Sequence, residues 1–392
     1  MRPSIIPAIL RHHRPRLGSM QMIPTLLSSH APYSSSPPSS SSSPQPPPFN
    51  PETYLHAARQ KLTAQPPTLI PDNLSPTPSR LLTLSLADHI PSLFPLEAKE
   101  KEAGKKEDDG ILPQGHHLVY FPPQLPPSAL MPDGTDPAHW PGKPFVRRMW
   151  AGGGVVFRKG WEREMRLDGR GVVCVESVGE PVLKLGSGDG NGGEKVFVEV
   201  CRRYGVDVNG GDGPAVEEVR RLVFMREREG GGKGTAEVGR VVRASATPEF
   251  TFSLKPDATL LFHFSALTYN AHAIHIDPDY ARNREGYKGL LVHGPLTLVL
   301  MLSALRACLA RLQPHGGMLT GNTPAEGRGL PHTKSLNYRN LAPLYVNEEM
   351  RVCLRRTKTD RDELGWDVWI EGPEGGLAVK GHAVTTGVSQ AA

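Results

Sequence analysis

Little in this sequence points to cross-linking, metal or nucleotide chemistry. Its 392 residues include four cysteines, Cys174, Cys201, Cys308 and Cys353, far apart and without CxxC or CxH spacing. That argues against a disulfide framework or a structural zinc site and fits a reducing compartment. No Asp or Glu precedes Glu52, although Arg2, Arg11, Arg14 and Arg16 do. Without those four arginines the formal charge of +5 falls to about +1, so the body is nearly neutral. It carries no basic stripe, which argues against nucleic-acid binding. Uninterrupted apolar runs are short. Across 290–312, His293, Pro295, Arg306 and Arg311 break up the one candidate membrane span. The glycine-rich stretch 186–193 lacks GxGxxG order, and no glycine stands five positions before Gly232-Lys233, so neither reads as a phosphate loop.

What is present suits two domains. The length is more than one core needs, and 41 glycines and 39 prolines imply long irregular stretches beside the packed elements. Residues 1–29 combine four arginines, hydroxyl side chains and short apolar runs with no acid. That is the composition of a mitochondrial transit peptide, with the matrix as destination; a basic tail carrying no address is the alternative. Pro3, Pro7 and the arginines up to position 16 interrupt the apolar run a secretory signal needs. Residues 30–50 form a Ser/Pro-rich linker with too little apolar content to fold.

From 51 to 245 the chain alternates strand-like runs with charged or glycine-rich loops. The runs are His117–Phe121, Gly154–Phe157, Gly171–Val175, Glu194–Val200 and Arg220–Met225. No cluster there looks catalytic. From 246 to 388 the pattern tightens. A strand is expected at Phe250–Leu254, a short helix at Asp257–Leu267 and a long buried helix at Leu296–Leu312. Strands follow near 333–341, 349–357, 364–371 and 376–386. A sheet wrapping one helix is an α+β arrangement.

The chemistry-bearing stretch is Ser265-Ala-Leu-Thr-Tyr269-Asn270-Ala-His272-Ala-Ile-His275-Ile-Asp277. His272 and His275 stand three apart, as two metal ligands on one helical face would. No Glu completes an HExxH pattern and no third ligand is suitably spaced, so no metal is assigned. The plain alternative is that these polar groups cap a helix and fill a turn.

This stretch, with Tyr280-Ala281, Glu285-Gly286-Tyr287 and Val292-His293-Gly294-Pro295-Leu296, resembles the MaoC-like hotdog dehydratases. The resemblance is nearest to their double-hotdog branch, which includes type 2 3-hydroxyacyl-thioester dehydratases and mesaconyl-CoA hydratase-like proteins. Arg147-Arg148-Met149-Trp150-Ala151-Gly152-Gly153 resembles a second segment of that branch, more than 100 residues away. The resemblance implies a tandem (double) hotdog fold, with a degenerate unit over 51–245 and a catalytic unit over 246–388. It implies a hydro-lyase that interconverts 3-hydroxyacyl and enoyl thioesters without a cofactor, as a monomer or homodimer. Its substrate would be carried by acyl carrier protein or CoA, with fatty-acid synthesis in mitochondria as the setting.

By the same resemblance His275 is the catalytic histidine. Asn270 falls where single-hotdog hydratases carry an aspartate, and His272 and Ala273 replace their Asn-Pro. Ala273 and Ile276 replace the Arg and Tyr usual in the double-hotdog branch. The chemistry fits these positions. A near-neutral imidazole can move the α-proton at physiological pH, whereas the Asn270 amide can only orient a hydroxyl or hold the imidazole. The Gly294 N–H, opening the long helix, suits the carbonyl oxygen that gains charge; an ordinary turn glycine is the alternative. Tyr269, His272, Val292 and His293 are expected to contact substrate, with Val292 and His293 at the entrance. Two other readings stay open: a dicarboxyl-CoA hydratase, which needs a cation such as Arg282, Arg284 or Arg339 near the acyl end, and a non-catalytic thioester binder.

Overall fold

Strand-forming alternation dominates the chain, and the computed structural model pairs it into one antiparallel sheet. The structure describes residues 49–94, 110–186, 193–211, 213–227, 242–312, 331–358 and 363–386. The transit-like segment, nearly all of the Ser/Pro linker, the charge run at 98–109 and most of the glycine-rich stretches lie outside the described residues. From Phe49 onward the chain forms one unit.

The strands are β1 (Thr68–Asn73), β2 (Phe145–Phe157), β3 (Gly171–Val178), β4 (Val182–Lys184), β5 (Lys195–Gly205) and β6 (Val216–Arg226), then β7 (Phe250–Leu254), β8 (Thr333–Asn340), β9 (Met350–Thr357), β10 (Glu363–Glu371) and β11 (Leu377–Thr386). Their order is β1-β3-β5-β6-β2-β8-β11-β10-β9-β7, with β4 on β5. The sequence halves thus form separate halves of the sheet. They meet where Gly152–Val156 of β2 pairs with Ser335–Arg339 of β8. This is the double-hotdog arrangement.

The helices are α1 (Pro51–Thr63), α2 (Pro76–Ala87), α3 (Trp161–Glu164), α4 (Ala258–Leu267), α5 (Ala273–Ile276) and α6 (Gly294–Arg311). Helix α6 is apolar on nearly every face because it fills the core: Leu296 to Leu305 are buried, and it packs on β8, β9, β10 and β2. By length and composition it would also pass for a membrane span, but most of it is covered by the fold. Asp257 caps α4, its side chain accepting the Leu260 N–H at 2.7 Å.

Two local readings need correction. His117–Phe121 is not a strand; a 3₁₀ turn covers His116–Val119, and all of these residues are buried. Short apolar runs mark burial as readily as strand pairing, and here Gly115 at φ 95° and Pro122-Pro123 bracket a tight turn. The second is the absence of any expected helix before residue 245. Both α1 and α2 begin with a proline at the first helical position. There the ring fits the helix and no hydrogen bond is lost.

Candidate active site

Catalytic geometry begins at the end of α4. Tyr269, at φ 51°, turns the chain, and the Asn270 N–H returns to the Ser265 carbonyl at 2.9 Å. The Asn270 side-chain oxygen then accepts the His272 N–H at 3.0 Å, which sets His272 as the cap of α5. One turn later His275 is buried.

Its ring is oriented by backbone. Nδ1 lies 2.8 Å from the Leu291 carbonyl. A carbonyl only accepts, so Nδ1 carries the proton and Nε2 keeps its lone pair. The Leu291 N–H in turn donates to the Ile274 carbonyl at 3.0 Å, which ties the two segments together. Burial pulls the His275 pKa down to about 4, partly offset by the bond to Leu291. The imidazole is therefore neutral at physiological pH, with a free basic nitrogen.

His293 lies behind it. The two rings stack with centroids 3.8 Å apart and planes 22° apart, and His293 Nε2 is 2.8 Å from Ser265 Oγ. His293 is fully buried and is not part of the cavity wall, so it does not stand at the entrance. His272 stands edge-on to His275 at 5.5 Å. Burial, followed by the neighbouring histidines, holds both His272 and His293 well below the usual imidazole range; Arg148 adds to the effect on His272.

A cavity of about 230 Å³ opens in front of His275, lined among others by Tyr269, Asn270, His272, Val292 and Gly294. Of the sequence-predicted residues, His293 and the arginine candidates Arg282, Arg284 and Arg339 are outside this wall. Gly294 is the first residue of α6, where an N–H has no partner within the helix. A side chain there is also sterically barred: a Cβ would lie 2.7 Å from Trp150 Cβ. Among the described residues, no group of three or more His, Cys, Asp or Glu is placed to hold a metal ion.

The N-terminal half supplies much of the site, which the sequence did not reveal. The Asp133 carbonyl accepts the Ala273 N–H at 2.9 Å, bracing α5. Beside it Gly134, at φ 82°, lies so close that a Cβ would be 2.0 Å from the Ala271 carbonyl oxygen. Arg147 crosses to Glu285 at 2.6 Å. The wall also includes Arg148, Trp150, Arg202 and Arg220. Arg202 bonds Glu176 at 2.5 Å, and Arg220 bonds both oxygens of Glu218 at 2.9 Å. Burial alone would raise these carboxyls, but His139 and Arg202 at Glu176, and Arg220 and His117 at Glu218, hold them well below the carboxylate range. A charged residue inside an apolar alternating strand was the available signal.

The sequence profile of the hydroxyacyl-thioester dehydratase type 2 family matches residues 115–346. Mesaconyl-C(4)-CoA hydratase of Chloroflexus aurantiacus is 31% identical over 71% of this chain and 86% of its own. The mitochondrial hydroxyacyl-thioester dehydratase type 2 of Schizosaccharomyces pombe is 25% identical over 74% of this chain and 90% of its own. A solved MaoC-like dehydratase shares the fold at a TM-score of 0.54 and 10% identity, over 85% of this chain and all of that one. The chain belongs to the hydroxyacyl-thioester dehydratase type 2 family and is a hydro-lyase of double-hotdog fold.

Proposed function

We propose that this protein catalyses the reversible addition of water to an enoyl thioester, with His275 as the acid–base residue. The observation that carries the reading is a buried, neutral imidazole whose tautomer is fixed by Leu291 and whose Nε2 has no hydrogen-bond partner among the described residues. In the dehydration direction Nε2 takes the α-proton, the electron pair forms the double bond, and the β-hydroxyl leaves. The proton on Nε2 goes to that hydroxide, so water is released and the imidazole returns to its neutral form. The Gly294 N–H at the α6 terminus receives the carbonyl oxygen as charge builds on it. Asn270 positions the hydroxyl, and Tyr269, His272 and Val292 complete the substrate wall.

Residues 246–388 serve as the catalytic hotdog unit and 51–245 as the degenerate partner that closes the cavity. The acid-free, arginine-bearing leader and the S. pombe relative's mitochondrial designation support delivery to the matrix. Two substrate classes suit the chemistry. A 3-hydroxyacyl group on acyl carrier protein would place the enzyme in fatty-acid synthesis, as the S. pombe relative's name supports. A dicarboxyl-CoA is supported by Arg148, Arg202 and Arg220, which the N-terminal half places in the cavity wall. The test of the reaction class is crotonyl-CoA in ¹⁸O-labelled water. Labelled 3-hydroxybutyryl-CoA, and its dehydration back to crotonyl-CoA, are expected; no turnover in either direction, with longer enoyl and dicarboxyl thioesters also inert, would sink the proposal.

A further inference from the structure

An arginine held half-buried or deeper in a cavity wall is expected to have an anionic partner, because a guanidinium without one loses part of its hydration uncompensated. Two of the three arginines in the cavity wall obey this rule, Arg202 with Glu176 and Arg220 with Glu218. Arg148 does not. Among the described residues no carboxylate comes within 4.0 Å of it. One nitrogen, Nη2, donates to the Asp136 backbone carbonyl at 2.8 Å, while Nε is fully buried with no hydrogen-bond partner. The guanidinium also lies 5.1 Å from the Phe224 ring centroid. Burial pushes the Arg148 pKa down; Asp133 and Asp136 oppose this from a distance. Those two carboxylates are engaged elsewhere: Oδ1 of Asp133 accepts from the Thr135 backbone and hydroxyl, and Oδ1 of Asp136 accepts the Ala138 N–H.

The position of Arg148 relates it to the reacting atoms. It is two residues before Trp150 on β2, a spacing of roughly 7 Å along a strand. Trp150 packs directly on Gly294, the proposed carbonyl-oxygen site. His272, edge-on to His275, feels the Arg148 charge. In an extended four-carbon diacid thioester whose carbonyl sits at Gly294, the far carboxylate carbon lies roughly 4 Å from the carbonyl carbon, and the Arg148 side chain is long enough to cover the remainder. A planar carboxylate matches the guanidinium fork, and an alkyl terminus does not.

We infer that Arg148 binds a second, free carboxylate on the acyl group, so that the preferred substrate is a short dicarboxylic enoyl or 3-hydroxyacyl thioester. This rests on the hydro-lyase reading above and names its substrate class. The arginines Arg282, Arg284 and Arg339, the candidates from sequence, are exposed and outside the cavity wall.

Fumaryl-CoA and crotonyl-CoA differ only in carrying a carboxylate or a methyl group at C4, and they make the test. With the full chain, kcat/KM for fumaryl-CoA should exceed that for crotonyl-CoA by about a hundredfold or more. Arg148→Met should cut that ratio by roughly thirtyfold or more, and Arg148→Lys should restore part of it, because charge remains but the fork is lost. A wild-type preference for crotonyl-CoA overturns the inference, as does an equal loss on both substrates in a folded Arg148→Met protein. The phosphates of CoA are the other anion source. With fumaryl-pantetheine, which lacks them, the Arg148 effect should persist; its disappearance would assign Arg148 to the carrier and overturn the inference. Titration of the two CoA thioesters into the protein separates binding from turnover. Tighter Arg148-dependent binding of fumaryl-CoA without turnover would sink the hydro-lyase reading and keep the anion site; equal binding of both would sink the anion site.

Discussion

Acidifying the enzyme from pH 7.5 to pH 5 distinguishes a buried catalytic imidazole from a solvated one. A solvated histidine with a pKa near 6.5 retains roughly 3% of its neutral form at pH 5. His275, held at about 4 by burial, retains roughly 90% by the same relation. If neutral His275 is the base, kcat/KM should therefore fall by only about a tenth over this range, against roughly thirtyfold for a solvated group. The same shift has a consequence for stability. The folded state disfavours the imidazolium, so below pH 6.5 the unfolded chain binds more protons. The contribution is complete above about 6.5 and is lost as pH falls toward 4. For His275 alone the loss is about 2 kcal/mol at pH 5 and about 3 kcal/mol below pH 4. His272 and His293 shift in the same direction and add to it. Enoyl-thioester absorbance gives the rate profile, and circular dichroism with urea titration at each pH gives the stability. An acid limb near pH 6.5 in a protein that remains folded would refute the reasoning.

Other perturbations follow from specific contacts. Gly134→Ala, whose Cβ would lie 2.0 Å from the Ala271 carbonyl oxygen, must push away the turn carrying His272 and His275. Its kcat should fall at least tenfold and its stability by about 1–3 kcal/mol or more, measured by steady-state rates and thermal melts. Glu285→Gln leaves the buried Arg147 without its counter-charge. A loss of about 3–5 kcal/mol is expected in urea denaturation, with a smaller one for the double variant Arg147→Met/Glu285→Gln. His293→Phe keeps a ring stacked on His275 but removes the partner of Ser265. Stability should drop by about 1–3 kcal/mol, with kcat/KM within about tenfold of wild type, because His293 moves no proton in the proposed cycle.

Legibility in the sequence followed the range of the interaction concerned. The alternation of Phe250–Leu254 and Glu194–Val200 encodes strand faces locally, and both became strands. Helix α6 was readable because a run apolar on all sides has only the core to occupy. The turn holding Asn270, His272 and His275 is local as well, and its motif indicated where the cavity would be. What was hidden depends on partners distant in sequence. The group orienting His275 is a backbone carbonyl at Leu291, which no side-chain pattern reports. Support for α5 comes from Asp133 and Gly134, more than 130 residues earlier, through a main-chain bond and a close approach. His117–Phe121 misled because burial and strand pairing select the same apolar residues. Arg148 stood inside a recognised segment, yet nothing local shows that its neighbour Arg147 is paired and that it is not.

The central claim is that His275 moves the proton. Its most direct test is the rate of crotonyl-CoA hydration by wild type and by His275→Ala, with folding of both checked by thermal melting. The account predicts a fall of about a thousandfold, within the 10²–10⁴ range for a general acid–base residue, in a variant that still melts cooperatively. A folded His275→Ala protein retaining activity within about tenfold of wild type would contradict it.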